Sequence, residues 1–197
     1  SYGIHNWSVI DYFLKKRPIY YYMKRSLAPV NVSFMGYEVQ TFDGMAGYKE
    51  YYQGQVKPIE ILVTNDMLEE KEVTVEYKVL TFDGQELKTG SSTCTLQANS
   101  VCKITELDIS DIKDTFVPEE TILLALVKED GQVINENRYF FAPYKDLKLK
   151  PAKIQYEMKL LSDTKAELTL SADTFVWMLH LADVEGVTVS DNDFDLL

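Results

Sequence analysis

An alternation of apolar and polar residues with a period of two runs through most of this sequence. Residues 73–79 show it most clearly, since valine and tyrosine alternate there with polar side chains, as in a half-buried strand. Similar extended stretches lie at 32–39, 56–64, 93–97, 101–107, 122–127 and 133–141. Turn signals such as Asp83-Gly84 separate them. Seven or so short strands joined by turns predict an antiparallel β-sandwich.

One early segment has the period of a helix instead. Pro18 suits a first helical position because its missing N–H is not needed there, and Pro29 closes the segment. Apolar residues recur every four positions between them: Ile19, Met23 and Leu27. The spacing predicts one short helix over 18–27, and its apolar stripe must dock on a partner because so short a helix is marginal alone.

A second series of strands follows a linker at 143–151. Its predicted strands are 154–158, 166–170, 175–181 and 187–189. Four strands make half a sandwich and leave an edge and an apolar face uncovered. With a partnerless helix near one end and an incomplete sheet at the other, the sequence is expected to be cut at both ends.

Charge excludes several classes of protein. The chain has 197 residues and a formal net charge of −11, and an acidic surface repels nucleic-acid backbones. No apolar run reaches the length of about 18 residues that a membrane span needs. The first residues lack the layout of a signal peptide. The charge is also uneven, because residues 1–30 carry five basic groups and one acid whereas the rest carries 15 and 30.

Metal and catalytic constellations are weak. Two cysteines and two histidines, His5 and His180, leave little room for a zinc site or a histidine-based triad. Residues 191–195 match the opening of a calcium loop, but Leu196 occupies the glycine position, so a turn is the simpler interpretation. The acids fall mainly on strand faces and turns. We therefore predict no metal, no cofactor and no catalytic residue.

The two cysteines flank a turn. If Ala98 and Asn99 form a two-residue hairpin loop, Cys94 and Cys102 fall one position out of register across it. We predict unpaired thiols that act as small hydrophobic side chains.

An aromatic cluster is the candidate ligand site. Tyr48, Tyr51 and Tyr52 lie among three glycines, and an exposed shelf of rings is one way to bind the apolar face of a sugar. The alternative is a loop that packs its tyrosines on the edge of the core, as amphipathic tyrosines commonly do.

Three stretches in order resemble the C-terminal part of the β-mannosidases of glycoside hydrolase family 2. The first comprises 7–12 (WSVIDY), 17–25 (RPIYYYMKR) and 28–30 (APV). The second is 63–66 (VTND) with 83–84 (DG), and the third is 190–197 (SDNDFDLL). The family normally continues after the third stretch with further strands.

The resemblance implies three domains in a mainly β chain. Residues 1–30 would be the end of a catalytic TIM barrel with its last helix, 31–145 an immunoglobulin-like β-sandwich, and 146–197 a second, C-terminally incomplete one. The family's catalytic glutamates lie upstream of this sequence, so none is assigned here. Asn6 and Trp7 would fall in a loop at the substrate rim of the barrel.

The resemblance therefore predicts a non-catalytic accessory region that is inactive alone. The parent enzyme would hydrolyse terminal β-D-mannosyl residues with retention. The expected partner is its own catalytic barrel, with mannose-containing oligosaccharide as a further candidate. Two alternatives are a carbohydrate-binding sandwich and the tail of a family 2 β-galactosidase or β-glucuronidase. The expected location is the bacterial cytoplasm, with a lysosomal or secreted location as alternatives.

Overall fold

A computed structural model describes residues 8–54 and 56–196, without the side chain of Asp43. The chain divides into two compact units, one of Ala28–Leu149 and one that combines Ser1–Leu27 with Lys150–Leu197. The sequence predicted that the segments before and after the sandwich are separate domains. The division into domains 1–30, 31–145 and 146–197 stays a prediction.

The described ranges contain two α-helices and eleven strands. In chain order they are α1 (Pro18–Ser26), β1 (Val30–Met35), α2 (Phe42–Gln53), β2 (Ile59–Asn65), β3 (Lys71–Thr81), β4 (Glu86–Leu96), β5 (Ser100–Leu107), β6 (Thr121–Glu129), β7 (Gln132–Phe140), β8 (Ile154–Ser162), β9 (Lys165–Ala172), β10 (Val176–Leu179) and β11 (Phe194–Leu196).

The Ala28–Leu149 unit is an immunoglobulin-like sandwich of two antiparallel sheets, as the sequence predicted. One sheet has the order β1-β2-β5 and the other the order β4-β3-β6-β7. The alternating residues of β2 explain the packing, since Ile59, Ile61 and Val63 are buried while their neighbours are partly exposed. Val75 and Val127 cover Ile61 and Val63 from the other sheet.

Side chains join the two sheets along one open side of this sandwich. On the edge strand β7, Asn135 accepts a hydrogen bond from the Val32 amide of β1 at 3.0 Å. Asn137 donates to the Val32 carbonyl at 2.9 Å. The side-chain amides of Asn135 and Asn137 thus pair with backbone groups that an edge strand would otherwise leave unpaired.

On the other open side, β4 and β5 are the edge strands of different sheets. The hairpin register expected around Ala98 and Asn99 is therefore wrong, because these strands pair with β3 and β2 and not with each other. Cys94 and Cys102 are both free and partly buried, which agrees with the predicted unpaired thiols.

Helix α2 was not predicted. Thr41 caps its first turn by accepting a hydrogen bond from the Gly44 amide at 3.2 Å. A side chain at Gly44 would place its Cβ 2.0 Å from the Glu38 carbonyl oxygen, so the helix start lies against the backbone that precedes it. Glycine is poor in helices yet required here by this close approach.

The second unit combines α1 with β8 to β11. The predicted helix over 18–27 is confirmed, and the basic Lys24 and Arg25 lie in its last turn. The strand predicted at 187–189 is wrong, because these residues are irregular and the partner of β10 is β11 instead. The pairing of β8 with β9 matches the first two predicted strands.

Long-range polar contacts hold α1 to the segment before β11. The Arg25 guanidinium contacts the Asp191 carboxylate at 3.0 Å and donates to the Asp193 carbonyl at 2.6 Å. Asn192 binds both the amide and the carbonyl of Leu181 through its side chain. This cluster fixes the end of the chain to a helix that lies far upstream in sequence.

The ribbon of β8 and β9 has an exposed apolar face. Tyr156, Met158 and Leu160 alternate along β8 and are exposed, with Leu168 of β9 opposite Met158. Within the described residues, neither helix is long and apolar enough to cross a bilayer.

Candidate functional site

The three tyrosines singled out from the sequence lie on α2, not in a loop. Their spacing places Tyr48, Tyr51 and Tyr52 on one helix face, because residues three and four apart are neighbours on a helix. Tyr48 is 3% and Tyr52 7% exposed, and Tyr51 is partly buried. This face packs on one of the two hydrophobic clusters of the sandwich.

Tyr48 is held by a buried carboxylate. Its hydroxyl donates to Glu119 Oε1 at 3.1 Å, and Lys49 Nζ contacts the same oxygen at 2.8 Å. Burial, followed by the neighbouring Glu119, raises the pKa of Tyr48 to about 12. Burial alone would raise the pKa of Glu119, but hydrogen bonds, the first of them from Lys49, outweigh it and hold that pKa below its usual value. The Tyr48 hydroxyl and the Glu119 carboxylate therefore have hydrogen-bond partners, and their contact holds α2 on the sandwich.

Tyr51 and Tyr52 belong to an aromatic cluster at the same end of the sandwich. Tyr51 stacks on Tyr37 with ring centroids 4.2 Å apart and planes 10° from parallel. The Tyr52 hydroxyl lies 3.4 Å from that of Tyr139, and burial raises the pKa of both phenols, that of Tyr139 to about 12. Phe116 meets the Tyr52 ring edge to face at 5.3 Å.

These contacts occupy much of the ring surface that a sugar would need. Tyr48 and Tyr52 lie in the core, as in the alternative interpretation of the cluster, while Tyr51 keeps part of its side chain accessible. Carbohydrate contact by the three tyrosines stays a prediction. Asn6 and Trp7, proposed for the substrate rim, lie outside the described residues, as does His5.

A cleft of about 370 Å³ opens beside Tyr52, within the usual size range of small-molecule sites. Its walls combine aromatic and apolar residues with a few polar ones. The lining residues are Tyr52, Gly54, Val56, Pro58, Asp108, Ile109, Ser110, Lys113 and Phe116. The sequence pointed to Tyr52 but did not predict the cleft. The second wall of the cleft comes from the loop after β5, which only the folded chain brings next to Tyr52.

The chemistry of this cleft is limited. Asp108 is the one carboxylate among the lining residues, and it accepts hydrogen bonds from the Ser110 amide at 2.9 Å and the Ser110 hydroxyl at 3.0 Å. The backbone hydrogen bond and then the hydroxyl lower the pKa of Asp108, so the group stays ionised and is a poor proton donor at neutral pH. Glycoside hydrolysis uses a pair of carboxylic groups, one of them a proton donor. The cleft can hold a small polar molecule but lacks that pair.

The acidic residues near the end of the chain are used in structure. Asp191 pairs with Arg25, and Asp193 Oδ1 lies 3.0 Å from His180 Nδ1 just after β10. In the described part of the chain, no group of three or more histidine, cysteine or acidic side chains is arranged to hold a metal ion.

Comparison with known proteins finds a family model that matches most of the sandwich. Residues 57–146 match the family model described as a mannosidase Ig/CBM-like domain. This part of the chain is therefore similar to mannosidase Ig/CBM-like domains. The match covers β2 to β7. It therefore includes the cleft residues Pro58, Asp108, Ile109, Ser110, Lys113 and Phe116.

Similarity extends beyond residues 57–146 to nearly the whole chain. Beta-mannosidase B of Aspergillus terreus is 25% identical over 195 residues, which are 98% of this chain and 22% of that protein. Beta-mannosidase B of Neosartorya fischeri is 26% identical over 198 residues, with the same coverage of 98% and 22%. The chain thus spans about a fifth of the length of these curated relatives.

Solved structures share the fold. A β-D-mannosidase of Dictyoglomus thermophilum matches with a TM-score of 0.76 and 24% identity, over 96% of this chain and 21% of that one. An exo-chitosanase of Amycolatopsis orientalis matches with a TM-score of 0.58 and 12% identity, over 96% of this chain and 24% of that one. The fold of this chain therefore occurs in proteins whose names specify different carbohydrates.

Proposed function

We propose that this chain is the non-catalytic C-terminal accessory region of a β-mannosidase-type enzyme of glycoside hydrolase family 2. The observation that carries the proposal is coverage, because relatives named β-mannosidase B align with 98% of this chain through only 22% of their own length. The parent would hydrolyse terminal β-D-mannosyl residues with retention, using two carboxylates supplied from outside this region. The cleft beside Tyr52, with one acceptor-only carboxylate, fits that division of labour.

The proposed role is to brace the catalytic barrel or to shape its entrance. Helix α1 supports it, because its predicted apolar stripe is exposed: Ile19 is 52% and Leu27 74% accessible. Tyr21 is the residue that α1 buries within this chain. The stripe would face the barrel in the longer enzyme, where burying exposed apolar surface is favourable. A bacterial cytoplasmic location stays a prediction.

The isolated chain is expected to leave an aryl β-mannoside unhydrolysed. Release of the chromophore should equal that of a blank, because the described residues bring no acid and nucleophile together across a cleft. The matched control is the full-length parent enzyme in the same assay. Turnover by the isolated chain above the blank would contradict the accessory role. A panel of aryl glycosides with the parent, including galactoside and glucuronide, would separate the mannosidase from the alternative family 2 substrates.

Carbohydrate binding by the sandwich itself is less well supported, because Tyr48 and Tyr52 are buried. We expect calorimetry with manno-oligosaccharides to give no heat of binding for either the unmodified chain or Tyr51→Ala. Tyr51 is the informative residue because its side chain is partly accessible. Its ring already stacks on that of Tyr37, which leaves less ring surface for a sugar. Heat with the unmodified chain that disappears in Tyr51→Ala would reinstate the carbohydrate-binding alternative.

A further inference from the structure

The two cysteines lie at matching positions on the open side of the sandwich between β4 and β5. Cys94 precedes the end of β4 at Leu96 by two residues, and Cys102 follows the start of β5 at Ser100 by two. The short turn between the strands is closed by the Ser100 hydroxyl, which donates to the Gln97 carbonyl at 2.7 Å. The two edge strands therefore converge where the cysteines lie.

Both side chains point into the same interior. Cys94 lies opposite Val73 of β3, and Cys102 lies opposite Val63 of β2. Val63 and Val73 are buried members of one hydrophobic cluster, and both cysteines pack against that cluster. Two thiols from different sheets thus meet the same patch of core from two sides.

The pKa of the Cys94 thiol is consistent with a Cys102 thiol close to it. Burial raises the pKa of the Cys94 thiol to about 11, and the neighbouring Cys102 thiol adds to the rise through its charge and a hydrogen bond. Cys102 also directs its thiol to the Lys103 carbonyl oxygen at 3.7 Å. Both sulfurs are reduced and unlinked in this structure.

We propose that Cys94 and Cys102 are a redox-active pair, which a low-molecular-weight disulfide such as oxidised glutathione converts to an intramolecular disulfide between β4 and β5. The bond would join the two sheets on the side opposite the Asn135 and Asn137 contacts. It requires the sulfurs to approach each other while the strands keep their pairing with β2 and β3.

The reaction balances as two exchanges. The Cys102 thiolate attacks one sulfur of oxidised glutathione, breaks its S–S bond and releases one glutathione thiolate. The Cys94 thiolate then attacks Cys102 Sγ in the mixed disulfide and releases the second glutathione. The protein pair is oxidised, one oxidised glutathione is reduced to two glutathiones, and two protons leave the cysteines. Burial of Cys94 makes its thiolate scarce at neutral pH, so the second exchange should accelerate as the pH rises.

The test is to incubate the full chain with oxidised glutathione at several pH values and then to quench with an alkylating agent. We expect loss of both free thiols, no retained glutathione, and a linked peptide that contains Cys94 and Cys102. Closure of the mixed disulfide should become roughly tenfold faster per pH unit between pH 7 and 9. The oxidised chain should melt about 5–10 °C higher than the reduced one, as expected for a short closed loop in a protein of this size.

Matched single variants provide the controls. Cys94→Ala should accumulate a stable glutathione adduct on Cys102, because the resolving thiol is absent. Cys102→Ala should react more slowly, because the remaining thiol is the buried one with the raised pKa. Stable adducts on both cysteines of the unmodified chain, or a disulfide found only between two copies of the chain, would overturn the proposal.

Discussion

Replacing Asn65 with alanine should lower the free energy of unfolding by about 3 kcal/mol. Asn65 has no exposed surface and ends β2 inside the sandwich. Its amide nitrogen lies 3.0 Å from the Glu69 carbonyl and 3.0 Å from the Gln97 carbonyl, and its amide oxygen accepts from the Met67 amide at 3.1 Å. Alanine removes the partner of the Met67 amide and of the Glu69 carbonyl and leaves the Gln97 carbonyl with the Ser100 hydroxyl alone, and polar groups that lose a hydrogen bond inside the fold are costly. Chemical denaturation followed by circular dichroism measures the change.

The control for Asn65→Ala is its neighbour Asp66→Ala. Asp66 is exposed and contributes its backbone amide, not its carboxylate, to a hydrogen bond with Pro29. We expect a change within about 0.5 kcal/mol for this variant. Asn65→Asp should be destabilised at neutral pH, because a carboxylate would face carbonyl oxygens, and should recover partly as acid protonates it. Equal stability of Asn65→Ala and Asp66→Ala would show that the amide does not organise this turn.

Gly44→Ala should cost about 3 kcal/mol by displacing helix α2. The new Cβ would lie 2.0 Å from the Glu38 oxygen and 2.9 Å from Val39 Cα, and both are backbone atoms that cannot rotate away. Relief requires the helix to shift, which would loosen Tyr48 and Tyr52 in the core. Chemical denaturation measures the stability, and tyrosine fluorescence reports the local packing.

A second glycine of the same helix gives the matched control. A Cβ at Gly47 would lie 3.1 Å from the Tyr37 hydroxyl, the end of a side chain that can move slightly. The gain in helix propensity offsets this crowding, so Gly47→Ala should stay within about 1 kcal/mol of the unmodified chain. Similar losses for both variants would point to a general intolerance of side chains on α2 and against the specific collision at Gly44.

The sandwich strands were predictable because burial on one face imposes a period of two. Along β2 the buried residues alternate without exception from Ile59 to Asn65. The hairpin between β3 and β4 was equally legible, since Gly84 adopts a φ of +82° that glycine tolerates. These features depend on local chemistry that the sequence states directly.

Helix α2 and the cleft were missed because their causes are not local. Two glycines lower the helix propensity of residues 42–53. Gly44 is required by its close contact with the preceding backbone, and no sequence pattern predicts that contact. The spacing of Tyr48, Tyr51 and Tyr52 was an available helical signal, although the three residues were predicted to lie in a loop, either as an exposed shelf or packed on the edge of the core. Asp108 and Phe116 join Tyr52 through the fold alone, so composition could not place them in one site.

The pairing of Arg25 with Asp191 has a consequence for synthesis on the ribosome. The two residues are 166 positions apart, so at typical elongation rates roughly 10–30 s separate their appearance. All of Ala28–Leu149 is made within that interval and can close its two sheets while α1 still waits for its partner. The nascent chain therefore completes its central unit first, and the discontinuous unit is assembled around residues that were translated long before.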